Sequence, residues 1–138
     1  MSFLQQINVQ WTLFLDRDGV INIEKEQDYI RHRDELILYP GVAEHFHLLN
    51  RYFGRVIVVT NQRGIGRGLM THQDLHDIHA RLQEELEQHD ARIDAFYYAP
   101  DLDKEAPDRK PNTGMGLQAK TDFPAIDFQK SVMVGNNL

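Results

Sequence analysis

The chain has 138 residues, 41% of them hydrophobic, with a formal net charge of −6 and no cysteine. That length and apolar content fit one domain with its own core and exclude a disordered chain. The missing cysteines exclude disulfides, thiolate metal sites and a Cys nucleophile, and the acidic balance argues against a general nucleic-acid binder.

The first ten residues have neither a basic stretch nor a long apolar one, so no signal peptide is visible. No apolar run approaches the ~20 residues a membrane span requires. A cytoplasmic protein without membrane contact is the expectation. Trp11 to Leu15 is a short apolar, β-prone run closed by Asp16-Arg17-Asp18-Gly19, which predicts a buried strand ending in a tight turn. Residues 22–39 are polar and irregular. After Pro40-Gly41, the residues Val42, Phe46, Leu49 and Phe53 recur at spacings of four, three and four, predicting one helix that Gly54 stops. Arg55 to Val59 predicts a second strand, buried on both faces.

Gly64 to Gly68 reads as a flexible glycine-rich loop. Thr71 with Asp74 reads as the cap of a second helix, whose apolar stripe is Leu75, Ile78, Leu82 and Leu86. Residues 95–98 predict a third strand, 100–112 a Pro- and Asp-rich loop, 113–122 a third helix and 131–134 a fourth strand. Such β-α-β-α-β-α-β alternation implies a mainly parallel sheet with helices on both faces, and ligands then bind beyond the carboxyl ends of the strands. Asp16 and Asp18 end the first strand, Thr60 and Asn61 the second, and Gly135 and Asn136 the fourth, so the polar residues gather at one edge.

Residues i and i+2 of an extended segment share a side, so Asp16 and Asp18 converge. Like charges that close repel, and a divalent cation with a hard oxygen shell resolves the conflict; magnesium suits it. One carboxylate then attacks phosphorus, while the other serves as acid and base. The plain alternative is a turn capped by two aspartates. Thr60, Asn61 and Gln62 offer a hydroxyl and two amides to phosphate oxygens without added charge, and Gly19 lets the chain turn away. Arg63 and Arg67 flank the glycine loop and can hold a second anionic group. Lys110 can neutralise nucleophile and phosphate together, and Arg109 can bind substrate through its planar fork. His72, His76 and His79, spaced four and three, read as a solvated helix face. His45 and His47 read as flanks of the first helix's stripe.

Taken together, these motifs resemble the haloacid dehalogenase (HAD) superfamily. Its DxDG[TV] motif is matched by Asp16-Arg17-Asp18-Gly19-Val20, its strand-two Thr or Ser by Thr60, and its Lys by Lys110. The LDRDG start, the VVTNQ.GI.RG stretch and the RKP triplet resemble the subfamily of heptose-1,7-bisphosphate phosphatases and histidinol-phosphatases. The resemblance implies a capless three-layer α/β sandwich and a magnesium-dependent phosphatase of a small phosphorylated metabolite, of the heptose 1,7-bisphosphate type. Histidinol-phosphatase, a polynucleotide phosphatase and a non-catalytic HAD-fold binding protein are the alternatives. It implies Asp16 as nucleophile and Asp18 as acid/base. It implies magnesium on Asp16 and the Asp18 carbonyl, with Asn136 as a weaker ligand where the family has an acid, and Thr60, Asn61, Arg109 and Lys110 on the transferring phosphate or the substrate. Arg17, Gly19, Gln62, Arg63 and Arg67 are further candidates for phosphate or substrate binding.

Three departures stand out. The subfamily's zinc loop of cysteines and a histidine has no counterpart before Arg109, so no zinc is expected. Asn136 replaces the acidic residue of the fourth motif. The chain stops at Leu138, and a single domain over 1–138 that continues into a further strand and helix is the expectation.

Overall fold

The computed structural model describes residues 3–110 and 113–135. Its strands are short and apolar, and their alternate side chains go to opposite faces. They are β1 (Thr12–Leu15), β2 (Arg55–Asn61), β3 (Ala95–Ala99) and β4 (Ser131–Val134). All pair in parallel, in the order β3-β2-β1-β4. This is an α/β architecture with a parallel four-stranded sheet. Central β2 is buried from Val56 through Thr60, as its run of β-branched residues requires.

The alternation separates two apolar layers. Leu13, Leu15, Val56 and Val58 pack with Leu75, Ile78, Leu82 and Leu86 on one face. Those four residues are the buried stripe of α5 (His72–Glu87). Phe14, Ile57 and Val59 pack with Met115, Ala119 and Ile126 on the other face, beneath α6 (Gly114–Asp122). Each fully buried Leu or Ile contributes roughly 1.5–3 kcal/mol of transfer free energy. Helix α5 starts where Thr71 and Asp74 form a reciprocal capping box.

A short α1 (Phe3–Gln6) precedes β1. The predicted helix over 42–53 is in fact two, α2 (Val42–His45) and α3 (His47–Tyr52). At the joint Leu49 N–H donates to Phe46 O, a tighter i→i−3 bond. The predicted stripe survives the joint, because Val42, Phe46, Leu49 and Phe53 all pack in the first layer. Gly54 follows at a close approach: a Cβ there would lie 1.8 Å from Val9 O.

The glycine-rich segment is not a loose loop. It contains α4 (Arg63–Gly66), one helical turn started by Gln62. Nor are residues 22–39 irregular throughout. Ile23 N–H donates to Ile37 O and Tyr39 N–H to Ile21 O, closing an antiparallel ribbon. No helix among the described residues is long and apolar enough to cross a membrane.

Candidate active site

The strand order places the carboxyl end of β1 between those of β2 and β4. Asp16 follows β1, and its N–H donates to Val134 O of β4 at 2.9 Å. Its carboxylate accepts from the following Arg17 N–H at 2.7 Å and pairs with Lys110 Nζ at 2.9 Å. Both side chains of that pair stay within solvent reach, Asp16 at 17% exposure and Lys110 at 18%. Lys110 comes from a loop, and Asn61 fixes the loop to the end of β2. Asn61 Oδ1 accepts from Lys110 N–H at 2.9 Å, and its Nδ2 donates to Lys110 O at 3.3 Å.

Asp18 is held more tightly. Its Oδ1 accepts from Arg17 Nη2 at 2.8 Å and Asn22 Nδ2 at 2.9 Å, and its Oδ2 accepts from Gln62 Nε2 at 3.0 Å. Burial alone would raise this carboxyl, but the Arg17 charge and the hydrogen bonds from Asn22, Arg17 and Gln62 outweigh it and hold it below its ordinary value. In the free protein at neutral pH Asp18 is therefore a carboxylate. Gly19 adopts φ +81, which turns the chain sharply after the motif.

Arg17, Gln62 and Gly19, expected on the phosphate, make internal hydrogen bonds. The Arg17 side chain has no solvent exposure, and its guanidinium bonds Asn22, His79 and Asp18. Gln62 is buried and donates to Asp18 and Thr60. Gly19 N–H is occupied by Asn22 O at 2.9 Å. All three hold the Asp18 turn rather than reach outward. Thr60, also buried, accepts from Gln62 at the end of β2. Arg109 donates through Nη1 to Leu102 O at 2.7 Å. Arg63 and Arg67 lie on and beside α4. Arg63 Nε is buried without a hydrogen-bond partner among the described residues, and Arg67 sits over the Tyr29 ring at 5.9 Å. Asn136 lies outside the described residues.

Two residues escaped the sequence reading. Asn22 is fully buried in what read as a polar irregular stretch, and it bonds both Arg17 and Asp18. Nothing in residue spacing marks it. His79, expected on a solvated face, is 5% exposed, bonded to Arg17 and stacked on Phe96 at 4.3 Å between centroids. The signal was its position: His79 follows Ile78 and lies four residues after Leu75, at the border of the apolar stripe. His72 and His76 are the exposed members of the trio, and His72 Nδ1 contacts Tyr98 OH.

Among the described residues no cluster of three His, Cys, Asp or Glu side chains converges as a metal cage. The ligands on offer at the strand ends are hard oxygens: the partly exposed Asp16 carboxylate and main-chain carbonyls. Such a set suits a cation that also takes waters and substrate phosphate oxygens, as magnesium does. It does not suit an all-protein thiolate or imidazole site.

A family model described as polynucleotide kinase 3 phosphatase matches residues 10–138. The chain is 38% identical over 130 residues to a D-glycero-alpha-D-manno-heptose-1,7-bisphosphate 7-phosphatase of Mycobacterium bovis, covering 94% of this chain and 68% of that protein. It is 36% identical over 129 residues to a probable D-glycero-D-manno-heptose-1,7-bisphosphate 7-phosphatase of Thermoplasma volcanium, covering 91% of this chain and 84% of that protein. Among solved structures, a D,D-heptose 1,7-bisphosphate phosphatase from B. bronchiseptica, complexed with magnesium and phosphate, superposes with a TM-score of 0.83 at 30% identity. The match covers 93% of this chain and 71% of that one.

Proposed function

This chain belongs to the polynucleotide kinase 3 phosphatase family and is a HAD-like phosphatase, and from that premise we propose that it hydrolyses a sugar bisphosphate of the heptose 1,7-bisphosphate type through an aspartyl-phosphate on Asp16. The observation that carries the reading is the Asp16–Lys110 pair beside the clamped Asp18. One carboxylate is left partly exposed and charge-neutralised, while the other is fixed in place two residues on.

Each step follows from these groups. Asp16 Oδ attacks phosphorus, and the bond from phosphorus to the ester oxygen breaks. The Lys110 ammonium offsets the repulsion between the carboxylate and an anionic phosphate. The departing oxygen takes a proton from Asp18. Asp18 is ionised in the free protein, and a phosphate anion placed beside it favours the protonated form. The resulting Asp18 carboxylate then accepts a proton from water, whose oxygen attacks phosphorus. The bond to Asp16 breaks, inorganic phosphate leaves, and Asp16 is regenerated. Asp16, the Asp18 carbonyl and Asn136 would hold magnesium, which supplies positive charge to the phosphate oxygens.

A bisphosphate needs a second anion site. Arg63 and Arg67 supply cationic groups on the turn that follows β2. A polynucleotide end is the less favoured substrate, since the net charge of −6 offers no basic track for a phosphate backbone. The reading is tested by phosphate release from sugar mono- and bisphosphates, histidinol phosphate and a 3′-phosphorylated oligonucleotide, with and without magnesium, for this chain and Asp16→Asn. Magnesium-dependent release, fastest from the sugar bisphosphate and lost in the variant, is expected. Preference for the oligonucleotide or histidinol phosphate would replace the substrate assignment, and equal release by Asp16→Asn would end the nucleophile assignment.

A further inference from the structure

Arg17 is fully buried and donates in three directions: from Nε to Asn22 Oδ1 at 3.1 Å, from Nη2 to Asp18 Oδ1 at 2.8 Å, and from Nη1 toward His79 Nε2 at 3.1 Å. A guanidinium has donors only and stays protonated in proteins. The contact with His79 therefore requires an imidazole whose Nε2 carries no proton. The ring is suited to that state. Burial and the Arg17 charge push it down to about 3, so it is neutral at working pH. Phe96 stacks on it at an interplanar angle of 16°, which fixes the plane in which Nε2 points at Arg17.

We infer that His79 is a positioning residue for phosphoryl transfer: its Nε2 lone pair anchors Arg17, and Arg17, with Asn22, fixes the Asp18 carboxylate. The chain of contacts runs from Phe96 on β3 through His79 on α5 to the turn after β1. It ties the carboxylate's position to the packing of α5 on the sheet. His79 itself takes no part in the chemistry, because it is buried and turned toward Arg17 rather than toward solvent. A displaced general acid or base of this kind costs turnover more than binding, and misplacement by about 1 Å is enough for a loss near 100-fold.

The inference rests on the phosphatase reading for its kinetic part and on geometry alone for the rest, so two measurements separate the two. First, 15N NMR of the wild-type protein should show His79 neutral, with Nδ1 protonated and Nε2 bare, through the pH range of activity. A protonated Nε2 overturns the inference whether or not the protein is active. Second, His79→Gln keeps an acceptor near the Nε2 position, whereas His79→Asn places its amide near Nδ1, short of Arg17. With a magnesium-supported sugar bisphosphate, His79→Asn should lose roughly 10–100-fold in kcat with KM little changed, while His79→Gln restores most of it. Both variants stay polar, and circular dichroism checks that both fold. Normal kcat in folded His79→Asn, or an equal loss in both variants, overturns the inference. Absence of turnover in the wild type would instead remove the phosphatase reading and leave the NMR result to decide the contact.

Discussion

Gln62→Leu isolates the contacts that hold the Asp18 carboxylate in place. The amide donates to Asp18 Oδ2 at 3.0 Å and to Thr60 Oγ1 at 3.0 Å from a site 1% exposed. Leucine keeps the volume and removes both bonds. A hydrogen bond to a charged acceptor contributes roughly 1.5–3 kcal/mol and a neutral one about 0.5–1.5. Asp18 keeps 28% side-chain exposure, which screens the first and argues for its lower end. The buried apolar side chain returns part of the sum. A net destabilisation of about 1–3 kcal/mol follows, read by urea unfolding at pH 7. At this chain length that is about 4 °C in Tm per kcal/mol. A double-mutant cycle with Asp18→Asn apportions it: the Gln62–Asp18 coupling should be about 1–2 kcal/mol. Turnover should fall roughly 10–100-fold, as for other residues that orient reacting groups. A coupling near zero, with kcat unchanged, would show that Gln62 does not hold Asp18 and would return it to the phosphate-binding role its sequence position suggested.

Three further outcomes are expected. Lys110→Met removes the ammonium paired with Asp16 at 2.9 Å and should lower kcat by about 10²–10³ while leaving Tm nearly unchanged, since the pair is partly solvated. Gly54→Ala forces a methyl to 1.8 Å from the Val9 carbonyl oxygen and should cost about 1–3 kcal/mol in chemical unfolding, as overpacking does; an unchanged midpoint would refute the close approach. Folding lowers the His79 value from 6.5 to about 3, so between those values the unfolded chain holds the proton that the folded one excludes. Stability from this group is then complete above about 6.5 and is lost as pH falls, by at most about 1.4 kcal/mol per pH unit. His79→Gln should flatten that slope, and an unaltered slope would place the proton uptake elsewhere.

The sheet was legible because burial dictates composition. Val56 to Val59 have no polar alternative to a two-sided core strand, and Leu75, Ile78, Leu82 and Leu86 mark α5 by period alone. The strand ends located Asp16, Asp18, Thr60 and Asn61 for the same reason: polar residues begin where each apolar run stops. Roles were less legible than places. Arg17, Gly19 and Gln62 lie in the motifs, yet their side chains or N–H groups are used up inside the protein. Direction of this kind depends on tertiary partners such as Asn22 and His79, and no periodicity encodes them. The break at Phe46 and the helical turn at Arg63–Gly66 likewise depend on local hydrogen bonding that the apolar pattern does not register.

The central claim is that Asp16 carries the phosphoryl group. Protein mixed with magnesium and its fastest sugar bisphosphate, quenched in acid within one turnover and reduced with borohydride, should yield homoserine in place of Asp16 in the peptide spanning the DRDG turn. Peptide mass spectrometry reads the product. Homoserine at position 16, absent without substrate and absent in Asp16→Asn, is the predicted result. Full turnover with position 16 unmodified, or homoserine at position 18 instead, would contradict it.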